Sequence, residues 1–487
     1  MSEILDEYLQ QVIGGGDEGS ALLAKLTSPT LKNCKYVDVV KEGMNGLAVL
    51  NHLPEDHSVI VYSMTGDSSI HDLTSYTKSV VHRLVELSKS YGFIPLAFAD
   101  VVDASKGEKR DIEIIGHALK EASDEHGLAV LNGELAILGQ RVKGIANING
   151  TMISLVKNSE LPKISKLEYL IHGSENIYFS HFEHKGKPVW INSDGQGTKG
   201  EFQERLRCFE LGLLDSLAMK LDDTIKYGAE AQVVSDVVEW NGDVNTKSLT
   251  RSASELSKKL GLSYILQLEH SKYIEGYSPD APVFNISGSV VSLIDQERLK
   301  NPPKPREGEY LIAIRGKPNP RSNGITDKRK TMIKLFGENY HNTEIGKIFL
   351  EYLSAPSIIF YPHFRYLINK NLATSVYHMS GGAYNGKLAR PLAKQGLFVK
   401  IENLFQPDWR ELALGGAMFT SAQVAYAKWP MGNDGFATTQ NPDEVISYLS
   451  SNGLDGRVVG KLEKNAEGKT GVELTAFNGE KIYYSGV

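Results

Sequence analysis

The chain has 487 residues, of which 41% are hydrophobic and 23% charged, and its formal net charge is -6 at pH 7. This composition is typical of a globular protein, and a chain of this length is expected to form about three domains. Because lysine and arginine are not in excess, nucleic acid is not expected as a partner. The two cysteines do not suggest a disulfide framework, and no apolar run is long enough to span a bilayer, so we expect a cytoplasmic protein without a membrane partner.

Residues 1–35 are expected to form an N-terminal arm. Apolar residues have helical spacing over 2–13, and the run Gly14-Gly15-Gly16 interrupts the pattern. A glycine run can wrap a phosphate group, but a flexible hinge is its more common meaning.

An internal repeat follows the arm. The segment FNISGSVVSLI (284–294) matches ANINGTMISLV (146–156), and AFADVV matches VVSDVV, which aligns Asp100 with Asp236. Helical patterns of similar length lie between these points in both halves. We therefore predict that residues 36–157 and 165–296 are two copies of one α/β unit. Two unrelated α/β segments of common composition are the alternative.

The segment NPPKPREGEY separates the repeats from the last third of the chain. Its prolines cannot lie inside a helix or a central strand, so they mark a domain boundary. Residues 305–487 then alternate strand and helix patterns and have no second copy. The predicted fold class is therefore α/β (α+β), with one unit present twice and a different domain after it.

The segment VWINSDGQGTKGEF contains a strand that leads into a glycine-rich turn, Asp194 to Lys199. Gly195 and Gly197 would let the backbone approach a phosphate group, and Lys199 would supply a mobile positive charge. Thr198 adds a hydroxyl group, and Asp194 is a candidate magnesium ligand. The spacing is not that of a Walker motif, and a tight turn with a solvated lysine is the alternative.

Two carboxylates end the next predicted helix, which contains Leu213, Leu217 and Leu221 at helical spacing. Asp222 and Asp223 lie near its C-terminal end, where negative charge is unfavourable unless a cation compensates it. Asp223 is therefore a candidate magnesium ligand, and plain solvent exposure is the alternative.

Two further turns could bind a phosphorylated substrate. Ser322, Asn323 and Gly324 follow Arg321 and open a predicted helix, where anions bind, although a helix cap is the more common meaning. In the second turn, a histidine precedes a glycine pair and two cations; this set is His378, Gly381, Gly382, Lys387 and Arg390. A lone histidine of this kind is more often structural.

Taken in order, these motifs resemble the aminoimidazole ribonucleotide synthetase (phosphoribosylformylglycinamidine cyclo-ligase) family. The family's DGxGTK turn resembles Asp194 to Lys199, and its Asn-Asp-Leu and Gly-Ala-Glu helix resembles 222–224 and 228–230. Its Ser-Asn-Gly turn resembles 322–324, and its His-x-Thr-Gly-Gly-Gly segment resembles 378–383. The resemblance covers about 165–487.

The resemblance implies an A domain that binds ATP and Mg²⁺ and a B domain that closes a substrate cleft. It implies an ATP-dependent cyclo-ligase of purine biosynthesis, which phosphorylates the formyl-amide oxygen of formylglycinamidine ribonucleotide and then closes the imidazole ring. Lys199 and His378 are the candidate catalytic residues. The candidate metal ligands are Asp194 and Asp223. The nucleotide site also includes Gly195, Gly197, Thr198, Asp236 and Glu134, and the substrate site includes Ser322, Asn323, Gly324, Gly381, Gly382 and Arg390.

Several positions depart from the family pattern. Ala383 replaces the third glycine after the histidine, and the pair that follows is replaced around Gly386 and Lys387. The family's Gly-Gly-Glu-Thr-Ala loop is recognisable only in the first copy, around Glu134, whereas the DGxGTK turn is present only in the second copy. Since family members pair two A domains, the two copies are expected to form an internal pseudo-dimer, so that the chain could be a monomer. Such a chain would have one ATP site, to which Glu134 contributes.

Two other functions remain open. One is a different ATP-dependent phosphoryl-transfer enzyme of the same superfamily, of the amidotransferase, selenophosphate synthetase or thiamine-phosphate kinase type. The other is a non-catalytic nucleotide-binding protein, motivated by the degenerate turn of the first copy, SMTGDSS, at 63–69.

Overall fold

The computed structural model describes residues 18–40, 47–277, 281–317, 319–322, 324–464 and 467–486. Gly14–Gly16 lie outside the described residues, and so does Asn323. The described chain forms two compact units. The first contains residues up to 220 together with 229–302, and the second contains 221–228 together with residues from 303 onward. Among the described residues, none of the helices is both long and apolar enough to cross a membrane.

The first unit contains two six-stranded sheets. One has the order β5-β4-β6-β3-β8-β7 and the other β1-β2-β9-β12-β10-β11. The strands are β1 Val37–Val39, β2 Ala48–Leu50, β3 His57–Thr65, β4 Ile94–Ala104, β5 Ala129–Ile137, β6 Ala146–Lys157, β7 Tyr169–His172, β8 Glu175–Phe182, β9 Val189–Gly195, β10 Glu230–Asn241, β11 Ser263–His270 and β12 Val283–Leu293.

The helices of this part of the chain cover the outer faces of the two sheets. They are α1 Glu18–Thr27, α2 Leu73–Ser90, α3 Lys109–His126, α4 Leu161–Ile164, α5 Lys199–Leu206, α6 Glu210–Ile225, α7 Thr246–Leu260 and α8 Gln296–Lys300, with 3-10 turns at Ser28–Asn33 and Gly139–Arg141. Helices α2, α3 and α7 are amphipathic, and α3 and α7 end at the left-handed glycines Gly127 and Gly261.

The two sheets share one topology. In the first, β5 is parallel to β4, and β4-β6-β3 are antiparallel; in the second, β11, β10, β12 and β9 repeat this arrangement. The register agrees as well, because Asp100 lies opposite Gly150 and Asp236 lies opposite Gly288. This agreement supports the proposed duplication.

Each sheet takes its edge hairpin from the other half of the chain. The hairpin β1-β2, which precedes β3, joins β9 through Leu50 and Val189, whereas the hairpin β7-β8, which precedes β9, pairs with β3. The segments 36–157 and 165–296 therefore do not each form a separate sheet. The exchange of the two hairpins differs from an arrangement in which each copy forms its own sheet.

The two sheets pack face to face. One end of the interface is apolar and combines Val59, Val61, Ile153 and Leu155 of the first half with Val189, Ile191, Val233, Val291 and Leu293 of the second. Burial of this surface is the main favourable contribution to the packing. At the other end the facing residues become polar and hydrogen-bond across the interface, as Asn149 Nδ2 does to Ser287 Oγ at 2.7 Å.

The described part of the expected arm is not an appendage. Helix α1 packs into the core of the first half, where Leu23 is buried, and Leu26 lies against Gly116 of α3. The sequence predicts an arm over 1–35 because no local pattern shows which surface these residues cover. The helical pattern over 2–13 lies outside the described residues.

The second unit is built on a seven-stranded sheet with the order β14-β16-β13-β17-β15-β18-β19. Its strands are β13 Tyr310–Arg315, β14 Ser375–His378, β15 Phe398–Ile401, β16 Gly435–Thr439, β17 Asp455–Glu463, β18 Gly471–Thr475 and β19 Lys481–Tyr484. Its helices are α9 Ile325–Phe336, α10 Glu344–Ser354, α11 Tyr361–Asn369, α12 Arg390–Lys394, α13 Trp409–Met418, α14 Ala422–Lys428 and α15 Pro442–Ser451, with a 3-10 turn at Tyr340–Asn342 and a π-helical turn at Tyr384–Ala389.

The equivalent aspartates of the two halves have different surroundings. Asp236 is buried and forms an ion pair with Lys220 at 2.7 Å, and it accepts hydrogen bonds from Ser216 and Tyr264. Asp100 is also buried, but neither of its carboxylate oxygens has a hydrogen-bond partner among the described residues. Burial raises the pKa of Asp100 to about 8.

We expect Asp100→Asn and Asp236→Asn to shift stability in opposite directions. A carboxyl group whose pKa is about 8 in the folded state and ordinarily 3.8 binds more protons when folded, so its contribution to stability falls as pH rises from about 4 to about 8. Asparagine removes this loss, and Asp100→Asn should raise the melting temperature most near pH 8. Asp236→Asn should lower it, because Lys220 is left buried without its partner. Thermal unfolding of both variants at about pH 5 and about pH 8 tests this; equal destabilisation by both would contradict it.

Candidate functional site

The glycine-rich turn lies at the end of β9, where it enters helix α5. Gly197 has φ +59°, the left-handed conformation that favours glycine, and α5 begins two residues later at Lys199. Asp194 is partly exposed, and its Oδ1 accepts a hydrogen bond from the N–H of Gly195 at 2.7 Å. The turn therefore presents backbone groups and one carboxylate next to a helix N-terminus, which is a favourable place for an anion.

Lys199 is not the mobile surface charge that the sequence suggested. Its side chain is fully buried, and its Nζ donates to Asp215 Oδ1 at 2.8 Å. Asp215 also accepts a hydrogen bond from Gln203 Nε2 at 2.7 Å. Lys199 therefore belongs to the packed interior, and its removal would leave Asp215 as a buried charge without this cation.

Asp236 is another candidate whose surroundings differ from the expectation. It lies in the core between β10, α6 and β11, and its partners are Lys220, Ser216 and Tyr264. Since its side chain has no exposed surface, the position suits a structural ion pair rather than a nucleotide contact. The local sequence did not reveal this, because the pairing cation lies on a different element.

The first half of the unit reaches the glycine-rich turn through β5. The side-chain oxygen of Asn132 accepts a hydrogen bond from the backbone N–H of Ser193, the residue before Asp194. Glu134 lies two residues further along β5 and therefore on the same face of the strand as Asn132. This placement supports the proposal that Glu134 contributes to a nucleotide site in the other repeat.

A compact group of charges lies in the second unit. Asp222 Oδ2 pairs with Arg321 Nη2 at 2.9 Å, with both side chains fully buried, and Asp222 Oδ1 accepts from the N–H of Tyr361 at 2.8 Å. The next residue, Asp223, is partly exposed, and its Oδ1 is contacted by three cationic or imidazole groups: Lys226 Nζ at 2.5 Å, His378 Nε2 at 2.9 Å and Lys387 Nζ at 3.4 Å. Side chains of the protein thus supply the cations that two carboxylates at a helix C-terminus require.

His378 is held in place rather than free to move. Its Nε2 contacts Asp223, and its Nδ1 lies 3.5 Å from Arg321 Nη2. Burial lowers the pKa of His378 to about 4, although Asp223 raises it, so the ring is neutral at pH 7. Burial raises the pKa of Asp223, but the charges of Lys226 and Lys387 and the hydrogen bond from His378 outweigh it and hold that pKa well below the usual value. A neutral imidazole with both nitrogens engaged is suited to orienting Asp223 and Arg321.

The substrate candidates also belong to the second unit. Ser322 is partly exposed, with Oγ 3.3 Å from Ser357 Oγ, and Gly324 has φ +62° at the start of α9. A Cβ at Gly324 would lie 2.1 Å from Trp429 Nε1, so only glycine fits there. Gly381 and Gly382 form the turn after β14, and Arg390 is exposed at the first residue of α12.

Three functional candidates were missed from the sequence. Asp215, Lys220 and Lys226 all lie on or next to α6, and they are the ion-pair partners of Lys199, Asp236 and Asp223. Lys226 could have been found, since it follows Asp223 at the i,i+3 spacing of helical neighbours. The other two pairs join residues of different elements, for which a single sequence contains no signal.

The candidates are divided between the two units. Asp194, Lys199, Asp236 and Glu134 belong to the first, whereas Asp223, His378, Ser322, Gly324, Gly381, Gly382 and Arg390 belong to the second. Their assembly into one site stays a prediction.

The sequence is similar to curated phosphoribosylformylglycinamidine cyclo-ligases. It is 25% identical over 340 residues to the enzyme of Clostridium perfringens strain 13, with 65% of this chain and 94% of that protein covered. It is 23% identical over 301 residues to the Methanococcus vannielii enzyme, with 60% and 83% covered. The enzyme of Pyrococcus horikoshii is 27% identical over 215 residues, or 43% of this chain and 61% of that protein. No family model matches the chain.

Solved structures show weaker similarity. AaThiL complexed with AMPPCP and TMP is 12% identical, covers 60% of this chain and 84% of its own, and has a TM-score of 0.38. T. maritima PurL complexed with FGAR is also 12% identical, covers 60% of this chain and 44% of its own, and has the same TM-score of 0.38. TM-scores at this level support no conclusion, so the relationship rests on the sequence relatives.

We expect Ala383→Gly to stabilise the second unit. Ala383 has φ +37° and ψ -126°, a conformation that costs a residue with a side chain roughly 1–3 kcal/mol. The lost burial of one methyl group costs about 0.8 kcal/mol, which is less than this strain. The urea midpoint should therefore rise. Ala389→Gly is the matched control, because Ala389 is buried at helical φ -65° and ψ -44°, where glycine destabilises. A lower midpoint for Ala383→Gly would show that the conformation is not strained.

Proposed function

We propose that this chain is an ATP-dependent ligase that converts formylglycinamidine ribonucleotide to aminoimidazole ribonucleotide. The observation that carries the proposal is the sequence similarity to cyclo-ligases over 94% of the length of the Clostridium perfringens enzyme. The glycine-rich turn, the carboxylates at the end of α6 and the His378 segment are the motifs on which a common chemistry depends.

The turn from Asp194 to Lys199 is proposed to bind the phosphates of ATP. Backbone N–H groups at the start of α5 would contact the phosphate oxygens, and Lys199 would contribute a fixed positive charge from beneath the turn. A positive charge that is held in place before the reaction does not need to move as negative charge develops on the phosphoryl group. Such electrostatic stabilisation is the main requirement of phosphoryl transfer.

The residues fit a magnesium ion to different degrees. Asp194 is partly exposed, and its Oδ1 accepts a hydrogen bond from the N–H of Gly195. Asp194 is therefore a better candidate ligand than Asp223. Asp223 has three positively charged or imidazole groups on Oδ1, which leaves only Oδ2 for a metal and places repelling charge nearby. When bound, Mg²⁺ would offset charge on the transferred phosphoryl group.

The second unit is proposed to bind the phosphorylated substrate. The Gly381-Gly382 turn, Lys387 and Arg390 offer backbone and cationic contacts for a phosphate group, and Ser322 offers a hydroxyl group. His378 would act by holding Asp223, and Asp223 would present its charge to the amidine nitrogens of the substrate. In the reaction, the formyl oxygen attacks the γ-phosphorus and ADP leaves. A substrate nitrogen then attacks the activated carbon, and the loss of a proton and of phosphate closes the imidazole ring.

We expect Asp194→Asn to reduce ATP turnover by roughly 10²–10³-fold, because Asp194 is the proposed ligand of the Mg²⁺ that would offset charge on the transferred phosphoryl group. The measurement is ADP release with formylglycinamidine ribonucleotide. Asp243→Asn is the matched control, because Asp243 is an exposed carboxylate of the same unit paired with Arg207, and it should retain wild-type turnover. Wild-type activity in Asp194→Asn would remove the turn from the active site.

The same assay distinguishes the related functions. A panel containing formylglycinamide ribonucleotide, thiamine phosphate and selenide tests the other phosphoryl-transfer reactions of the superfamily. ADP release with another member of the panel alone would retain ATP chemistry but replace the substrate. ATP binding without ADP release from any of them would identify a non-catalytic nucleotide-binding protein.

We expect one ATP per chain and weaker ATP binding by Glu134→Gln, although Glu134 lies in the first repeat. The physical reason is that the hydrogen bond between Asn132 and Ser193 holds β5 beside β9. Glu134 lies on the same face of β5 as Asn132 and is proposed to reach the turn of the second repeat. Glu121→Gln is the control, because Glu121 is an exposed helical residue of the same repeat.

Titration calorimetry measures both the stoichiometry and the affinity. Two ATP molecules per chain would contradict the single-site proposal and would point to the first repeat's own turn, where Thr65 to Ser68 line a polar cavity with Arg83 and Lys272. Unchanged affinity in Glu134→Gln would remove Glu134 from the site.

A further inference from the structure

Three potential metal ligands converge on the outer surface of the first unit, between helices α2 and α3. His82 lies on α2, and Glu125 and His126 are the last two residues of α3. His82 Nδ1 and His126 Nε2 are 2.8 Å apart, and one ligand atom of each of the three residues lies within 4.8 Å of the other two. His82 and His126 are half-buried, and Glu125 is exposed, so the group is open to solvent on one side.

Two imidazole nitrogens at this distance require something between them. Either one nitrogen is protonated and donates to the other, or both lone pairs point toward a common cation. In a tetrahedral zinc site, nitrogen ligands lie about 2.0–2.1 Å from the ion, and therefore about 3.4 Å from each other. If the two rings moved apart by roughly another half an ångström, the zinc ion would fit between the two nitrogens, with the Glu125 carboxylate as a third ligand.

The surroundings of the group favour a cation. His126 is the last residue of a helix of 18 residues, where the unpaired carbonyl groups carry the negative end of the helix dipole. Glu86, one turn after His82 on α2, adds negative charge near His126, which Lys89 partly opposes. Burial and the proximity of His82 lower the pKa of His126.

We propose that His82, His126 and Glu125 form a zinc site that joins the C-terminal end of α3 to α2, with water as the fourth ligand. Two nitrogens and one carboxylate oxygen suit Zn²⁺ better than Mg²⁺ or Ca²⁺, which prefer oxygen ligands. In the part of the chain that the structure describes, no second group of three such side chains has this spacing. None of its members belongs to the proposed ATP or substrate residues, so the site is independent of the proposed function.

The test is a titration of the metal-free full-length protein with zinc chloride by calorimetry, with cobalt(II) absorption as a second measurement of tetrahedral coordination. We expect one zinc ion per chain. His82→Gln and His126→Gln should each raise the Kd at least about tenfold, because the loss of even an outer-shell partner has that effect. His117→Gln is the matched control, since His117 is exposed on the same helix as His126 and should bind zinc as the wild type does.

Thermal unfolding separates loss of the site from loss of the fold. Zinc should raise the melting temperature of the wild type and of His117→Gln, but not those of His82→Gln and His126→Gln, whose folded state is verified by circular dichroism without metal. Absence of zinc binding by the wild type, or equal binding by all four proteins, would overturn the proposal and leave a proton shared between the two rings. Neither measurement depends on ATP turnover, so the result is independent of the reaction that the protein catalyses.

Discussion

The face-to-face packing of the two six-stranded sheets is the contact on which the first unit depends. Its apolar end buries residues of both halves in one cluster, and residues at its polar end form hydrogen bonds between the halves. Asn147 donates to Glu239 and Asn285 donates to Asp103, so residues at equivalent positions of the repeat make reciprocal contacts. Because the edge hairpins are also exchanged, neither sheet can be completed by one half alone.

This arrangement explains how two similar halves can differ. Two identical subunits must change together, whereas two halves of one chain can change separately. The first half has a buried Asp100 whose carboxylate has no hydrogen-bond partner among the described residues, whereas Asp236 in the second half has Lys220. The glycine-rich turn is present in the second half, and β5 of the first half lies beside it. Such a division is consistent with a unit in which one half supports the site of the other.

Both units contain buried ion pairs. Lys199 with Asp215 in the first unit and Asp222 with Arg321 in the second are both fully buried ion pairs. A buried pair adds little net stability, because the desolvation of both charges offsets their attraction. Such a pair fixes the positions of its two side chains, because moving one charge away would leave the other unpaired in an apolar interior. Both pairs adjoin proposed site residues, where a fixed electrostatic environment favours catalysis.

Much of the local structure could be predicted from the sequence. The helices expected at 111–126 and 247–260 are present as Lys109–His126 and Thr246–Leu260, and the repeat places Asp100 and Asp236 at equivalent register positions. These features depend on patterns within a few residues or on direct comparison of two segments. The resemblance to the cyclo-ligases rests on short motifs in a fixed order, and both the motifs and their order can be read from the sequence alone.

Other features were decided only by the tertiary structure. The sequence could not show that the hairpins are exchanged, because strands of either half have the same alternation and could pair with either sheet. It could not show that Lys199 is buried, because a lysine in a glycine-rich turn is ordinarily solvated and its partner Asp215 lies on another helix. Arg321 and Asp222 are 99 residues apart, and His378 and Asp223 are 155 apart. By itself, therefore, the sequence indicated a repeat and determined the local elements and the residue types available for chemistry. Which charges pair, and which are buried, depended on long-range packing, because the stability of a charge is set by neighbours that the chain brings together only when it folds.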